Sequence, residues 1–193
     1  CLDRIDEICS RFGSSLAFSY ENIESGAQIN YNSEKQFMTC STIKAPYVKS
    51  ILASGIDLDE KIVKDKNWSG DVVGEDYIVS MNMGTEFTAK ELIEAAIQRS
   101  DNTAYYLLEQ HYGWNVFNSL QYEIGADYYL GQDWIFTYAS TSDMLKSYKD
   151  IYRFGEENEL GEWLTELMTD TDLNEQIGKK LSKKYKVSQK YGS

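Results

Sequence analysis

Apolar residues recur at helical intervals over most of this 193-residue chain. Leu2, Ile5, Ile8, Cys9 and Phe12 fall on one stripe and Gly13 supplies a stop, which predicts an amphipathic helix over 1–12. Two strand-like runs come next, 15–20 and 27–31, and the turn-forming residues 21–26 between them predict an antiparallel hairpin. From Thr42 the period is helical again, with Ile43, Tyr47, Ile51 and Leu52 on one face. Residues 57–84 are polar and contain glycines, and read as loops with small helices or turns. Thr88-Ala89-Lys90-Glu91 is a capping-box sequence that opens a helix over 89–99, with Leu92, Ile93, Ala96 and Ile97 facing inward. Further helices are predicted over 103–111 (stopped near Gly113), 141–154 and 160–168, and a weaker one over 173–181. The last residues, 185–193, read as the beginning of a strand. The order is helix, hairpin, many helices, then strand. That is an α+β chain forming one domain, 1–193, in which 1–40 and 185–193 make a sheet part and 41–184 a mainly helical part.

Composition narrows the partners. The formal net charge of −12 argues against general nucleic-acid binding, which needs a basic face. A pocket can still be locally positive in an acidic protein. No run of about 18 apolar residues is present, so no transmembrane helix is expected. Residues 1–12 read as an amphipathic helix rather than a signal peptide, and an exported mature chain would lack a signal as well. The cysteines, Cys1, Cys9 and Cys40, form no CxxC and no Cys/His cluster, so neither a zinc site nor any other metal or cofactor is expected. Cys1 reads as an arbitrary boundary or as a lipidated mature end.

Three short motifs carry candidate chemistry. In Ser41-Thr42-Ile43-Lys44 the i, i+3 spacing puts both polar side chains on one helix face. A serine hydroxyl is a poor nucleophile until a base takes its proton, and a lysine serves when its surroundings favour the amine form. Partial positive charge at a helix N-terminus lies beside such a serine. Taken alone, the same residues read first as a helix cap and a solvated lysine, because S-x-x-K is common by chance. Ser100-Asp101-Asn102 lies between two predicted helices, and by itself is a helix boundary with Asp or Asn capping the second of them. Lys190-Tyr191-Gly192 sits on the terminal run, where the lysine would put positive charge at a cleft edge and the glycine would allow close approach to the backbone.

The three motifs occur in one order, with 59 positions from Ser41 to Ser100 and 90 from Ser100 to Lys190. In that order the chain resembles the class A β-lactamases and penicillin-binding proteins, whose elements are S-x-x-K, S-D-N and K-T-G. The resemblance extends over nearly the whole chain, from the first helix and hairpin to the run before Lys190. It implies a β-lactamase-like fold, an antiparallel sheet with helices plus an all-helical subdomain, and a serine hydrolase that forms an acyl-enzyme. Ser41 would be the nucleophile, Lys44 the base, and Ser100 the proton relay to the leaving nitrogen. Asn102 would hold Lys44 and the substrate amide. Lys190, Tyr191, Gly192 and Ser193 would bind substrate, with the Ser41 and Ser193 amides as oxyanion donors. Asp101 would brace its loop. The substrate would be a β-lactam or a cell-wall peptide of D-alanyl-D-alanine type, in an extracellular or cell-envelope setting.

The sequence departs from that pattern in three ways. The interval 125–140, GADYYLGQDWIFTYAS, lacks the E-x-x-L-N glutamate that positions a deacylating water; Asp127 and Asp133 are its only carboxylates. This favours a D,D-peptidase or penicillin-binding protein over a β-lactamase. Tyr191 replaces the threonine of K-T-G, with Ser193 as a substitute hydroxyl. The family also continues with further strands and a final helix, so a C-terminal segment beyond Ser193 is expected to complete the fold. Cys40 holds the first position of a disulfide that some class A enzymes carry. The alternative reading is a non-catalytic penicillin-binding or sensor domain of the same fold. His111 and the acidic pairs read as capping or surface groups, and Tyr105, Tyr128 and Tyr129 as core or cleft residues.

Overall fold

A computed structural model describes residues 2–68, 77–132, 134–172 and 176–192. The predicted first helix is α1 (Leu2–Phe12), and the predicted hairpin is β1 (Phe18–Glu21) paired antiparallel with β2 (Gln28–Tyr31). Phe18 lies opposite Tyr31, and their rings stack with centroids 6.3 Å apart. The reversal is closed by Asn22 and Ala27, and Gly26 takes a left-handed φ of 70° there.

A chain of helices comes after the hairpin: α2 (Lys44–Ala53), α3 (Ala89–Gln98), α4 (Asn102–Tyr112), α5 (Asn115–Glu123), α6 (Thr141–Glu157), α7 (Glu159–Leu167) and α8 (Gln176–Leu181). Their starts are set by local chemistry. Thr88 Oγ1 accepts from the Glu91 amide while Glu91 accepts from the Thr88 amide, which is the reciprocal box predicted from the sequence. Asp101 caps α4, Ser140 caps α6 and Asn158 caps α7, each accepting a backbone N–H of the first turn. Pro46 sits in the first turn of α2, where its missing N–H costs no intrahelical bond.

α2 is the centre of the molecule. The sequence marks one apolar face on it, yet residues 44–52 are buried on every side, between α3, α5, α6 and α7. Tyr47, Ile51, Leu92, Ile93, Leu108, Phe117 and Leu164 pack into one continuous core around it. Lys49, buried within that helix, is matched by Asp150 of α6 at 2.5 Å.

Several elements depart from the predicted pattern. The 57–84 stretch contains a short strand, β4 (Lys61–Val63), paired antiparallel with β5 (Glu86–Thr88). Another pair joins β3 (Gln36–Met38) to β6 (Tyr138–Ser140). Each of these strands has three residues, too few for an alternating pattern to register. The strand expected over 185–193 does not form among the described residues: 186–192 pairs with no other strand. A strand needs a ladder partner. This run is instead held by hydrogen bonds of Gln189 N to Met168 O (2.9 Å) and of Ser188 Oγ to Thr165 O (2.9 Å).

Candidate active site

The turn that carries Ser41 is a 3-10 segment, Cys40–Ile43, leading directly into α2. Ser41 does not cap α2, whose first turn has no side-chain cap. The turn is fixed from three sides. Thr42 N donates to Thr39 O at 3.1 Å, the Thr39 amide donates to Thr137 O at 2.8 Å, and Tyr148 of α6 donates its hydroxyl to Thr42 O at 3.1 Å. Cys40 adopts φ 43°, a left-handed conformation that costs a non-glycine residue energy and is tolerated where the surroundings over-determine it. Cys9 and Cys40 are free thiols.

Lys44 is fully buried at the start of α2, which excludes the solvated reading. Its ammonium donates to Ser100 O and, at 2.6 Å, to Asn102 Oδ1, and it lies 3.5 Å from Ser100 Oγ. The Tyr105 ring lies beneath it, with the centroid 5.8 Å from Nζ. Ser100 is held at φ 60°, and Asp101 N donates to Ala95 O at 3.1 Å, so the peptide between α3 and α4 presents both its carbonyl and its hydroxyl to Lys44. Asp101 is fully buried: one oxygen caps α4 through Ala104 N and the other accepts from Ile78 N, both at 2.8 Å.

Lys190 arrives from the C-terminal run. Its Nζ donates to Ser100 Oγ at 2.7 Å and to Tyr191 O at 3.0 Å. Among the described residues no carboxylate pairs with it. Burial lowers its pKa from 10.5 to about 8, because the charged form loses hydration. Gly192 lies against the Ser41 turn: a Cβ there would come within 3.0 Å of Ser41 N and 2.9 Å of Thr42 N. A glycine is therefore required by the close approach of two backbones. The structure thus brings Ser41, Lys44, Ser100, Asn102, Lys190 and Gly192 together from three segments, with Tyr191 beside them. Ser193 and Asp133 lie outside the described residues.

Asp127 does not face this group. It is exposed, and its amide donates to Asp143 Oδ1 at 3.1 Å. From the 125–140 interval it is Phe136 that approaches the site, its ring centroid 6.2 Å from that of Tyr105 and 6.2 Å from that of Trp68. Tyr105 and Tyr128 are core residues, whereas Tyr129 is exposed. His111 ends α4 beside Glu60, at 3.1 Å. Sequence reasoning did not single out Tyr148, Thr39 or Phe136, because nothing in their local pattern distinguishes them from ordinary packing residues. Among the described residues no helix is long and apolar enough to cross a membrane, and no His/Cys/Asp/Glu group is arranged to hold a metal.

Comparison with known proteins gives the family and the fold. A family model described as the β-lactamase enzyme family matches residues 2–193. A β-lactamase of Mycobacterium tuberculosis is 32% identical over 108 residues, which are 55% of this chain and 34% of that protein. The carbapenem-hydrolyzing β-lactamase KPC of Klebsiella oxytoca is 34% identical over 111 residues, 53% of this chain and 35% of that protein. Aligned with these relatives, the chain spans about a third of their length. Among solved structures, a β-lactamase of Chitinophaga pinensis superposes with a TM-score of 0.82 at 17% identity, covering 99% of this chain and 77% of that one. An acyl-enzyme complex of a PBP-A variant with penicillin G gives 0.79 at 20% identity, covering 99% and 76%. These likenesses establish a β-lactamase-like α+β fold.

Proposed function

Because the chain belongs to the β-lactamase enzyme family, we propose that Ser41 is acylated by β-lactams or by peptides of D-alanyl-D-alanine type, and that the acyl group leaves slowly. The observation that carries this reading is the convergence of Lys44 and Lys190 on the single hydroxyl of Ser100, beside the turn of Ser41.

In the reaction Ser41 Oγ attacks the carbonyl carbon and its proton passes to Lys44 in the amine form. The new O–C bond forms, the C–N bond of the lactam or peptide breaks, and the proton reaches the leaving nitrogen through Ser100 Oγ. Asn102 fixes Lys44 and accepts the substrate's amide side chain. The Lys190 ammonium meets the ligand's carboxylate, with Tyr191 and Gly192 beside it. The Ser41 amide, with that of Ser193, steadies the negative charge developing on the carbonyl oxygen. Slow release is supported by the 125–140 interval, which lacks glutamate and, among its described residues, turns Phe136 toward Tyr105. That favours a D,D-peptidase or penicillin-binding activity over lactam hydrolysis, in an extracellular or cell-envelope setting.

The test is incubation with penicillin G, with intact mass and lactam absorbance measured over time. A persistent adduct on the protein, absent in Ser41→Ala, is the expected result. Rapid lactam loss without an adduct would overturn slow release. No adduct and no lactam loss would overturn the catalytic reading and leave a non-catalytic domain of the same fold.

A further inference from the structure

Lys64 is a second fully buried lysine, and the chemistry proposed above makes no use of it. It comes directly after β4, and its backbone extends the β4–β5 pairing through Lys64 N to Thr85 O and Gly84 N to Lys64 O, both 2.8 Å. Among the described residues its ammonium has no carboxylate partner. It donates instead to Val79 O, at 3.0 Å, and to Met81 O. Those carbonyls end a 3-10 turn, Ile78–Ser80. The opposite end of the same turn, Ile78 N, donates to Asp101 Oδ2 at 2.8 Å. A buried cation therefore grips the carbonyl end of the turn and a buried anion grips its amide end, which matches the sign of the peptide dipoles. Removing either charge from water is costly, so the arrangement needs the turn to hold both.

Asp101 is the middle residue of Ser100-Asp101-Asn102. Its neighbours on either side supply the three oxygens that face Lys44, and Ser100, directly before it, sits in the left-handed region at φ 60°. We propose that Lys64 is a positioning residue for the active site: through the 78–81 turn and Asp101 it sets the placement of Ser100 and Asn102 against Lys44 and Lys190. A methylene chain of the same length without the ammonium would leave two buried carbonyls unpaired, and the turn would reorganise to satisfy them. The consequence for acylation rests on the function proposed above; the consequence for the geometry of Ser100 does not.

The experiment uses three variants: Lys64→Met, Lys64→Arg, and Leu52→Ala as a control. Leu52 is buried near the far end of α2, so its truncation lowers stability without touching the turn. Two readouts are taken on each: the rate of Ser41 acylation by penicillin G, separated from non-covalent binding, and the titration of Lys190 by NMR of its labelled side chain. Lys64→Met is expected to slow acylation by about tenfold or more with binding changed by less than about threefold. It is also expected to raise the Lys190 pKa from about 8 toward 10.5, because a displaced Ser100 lets water reach that ammonium. Lys64→Arg restores much of both, and Leu52→Ala changes neither. If Lys64→Met fails to fold, Lys64→Gln, whose shorter side chain brings an uncharged donor that stops short of the Val79 and Met81 carbonyls, is used in its place, and a Lys64→Gln protein matching the Leu52→Ala control in both readouts overturns the proposal. A Lys64→Met protein that behaves like the Leu52→Ala control in both readouts overturns the proposal. If the unaltered protein forms no adduct, the proposed function falls, and the Lys190 titration alone decides the positioning role.

Discussion

The segment 2–38 and the helical body 43–168 differ sharply in how they are held. Every buried hydrophobic side chain of the continuous core belongs to the body. The N-terminal helix and hairpin contribute Cys9 as their one buried hydrophobic among the described residues, while Ile8, Phe12, Tyr20, Ile23 and Met38 remain exposed. Both segments have comparable local pattern: α1 is strongly amphipathic and the hairpin alternates. The difference lies in partners, since an apolar stripe is stabilising only when another element covers it. The candidate site lies at the seam, with Ser41 on the turn where one region passes into the other, Ser100 and Asn102 from the body, and Lys190 and Gly192 from the C-terminal run.

The contrast is broken or sharpened most directly by equal truncations on its two sides. Leu92→Ala removes a fully buried side chain of α3 and is expected to cost about 2–5 kcal/mol in denaturant unfolding. Phe12→Ala removes a larger side chain that is 60% exposed, and is expected to cost no more than about 0.5 kcal/mol. If the two losses were alike, α1 would be packed as part of the core and the distinction between the regions would fail.

At the seam the governing quantity is backbone distance. Gly192→Ala places a methyl group 2.9–3.1 Å from Thr42 N, Ser41 N and Thr39 O, where rigid backbone rather than a flexible side chain must yield. The expected cost is about 1–3 kcal/mol in stability, with a larger loss in Ser41 acylation because the turn that moves carries the proposed nucleophile. An acylation rate equal to that of the unaltered protein would show that 192 does not bear on the turn.

How far the sequence discloses all this depends on the same physics. Long amphipathic helices such as α3 and α6 are legible because their period repeats over several turns and their caps, Thr88 and Ser140, are chemically distinctive. Three-residue strands are not, and β3, β4 and β6 are defined by partners up to a hundred residues away. α5 also escapes notice, since only Phe117 and Gln121 of its nine residues are buried. The expectation of a strand over 185–193 fails because strand character is a property of a pair. The site is legible through order and spacing: Ser41, Lys44, Ser100, Asn102 and Lys190 are each ambiguous in isolation, and the structure brings them together. What no local pattern announces is the support behind them, Tyr148 on Thr42 O and Lys64 on the 78–81 turn, because a buried lysine is written in sequence like a solvated one.

The smallest expected effect separates the two lysines of the site. Lys44, from the body, donates to a carbonyl and to a side-chain amide oxygen; Lys190, from the peripheral run, has a hydroxyl and its neighbour's carbonyl. Burial holds Lys190 at about 8, below its ordinary 10.5. The folded protein releases this proton sooner than the unfolded chain does, so Lys190 weakens stability at pH values below about 8, and that penalty fades as the pH rises from about 8 toward 10.5. Acylation runs the other way, since the ammonium proposed to meet a ligand carboxylate is lost over the same range. With penicillin G the acylation rate is expected to fall above about pH 8, approaching about tenfold per pH unit, or ~1.4 kcal/mol. Lys190→Met should be slow at every pH and lack that limb, and its stability relative to the unaltered protein should be greatest below pH 8. A pH profile in which the limb persists in Lys190→Met would assign it to another group and remove the proposed role of Lys190 in meeting the carboxylate.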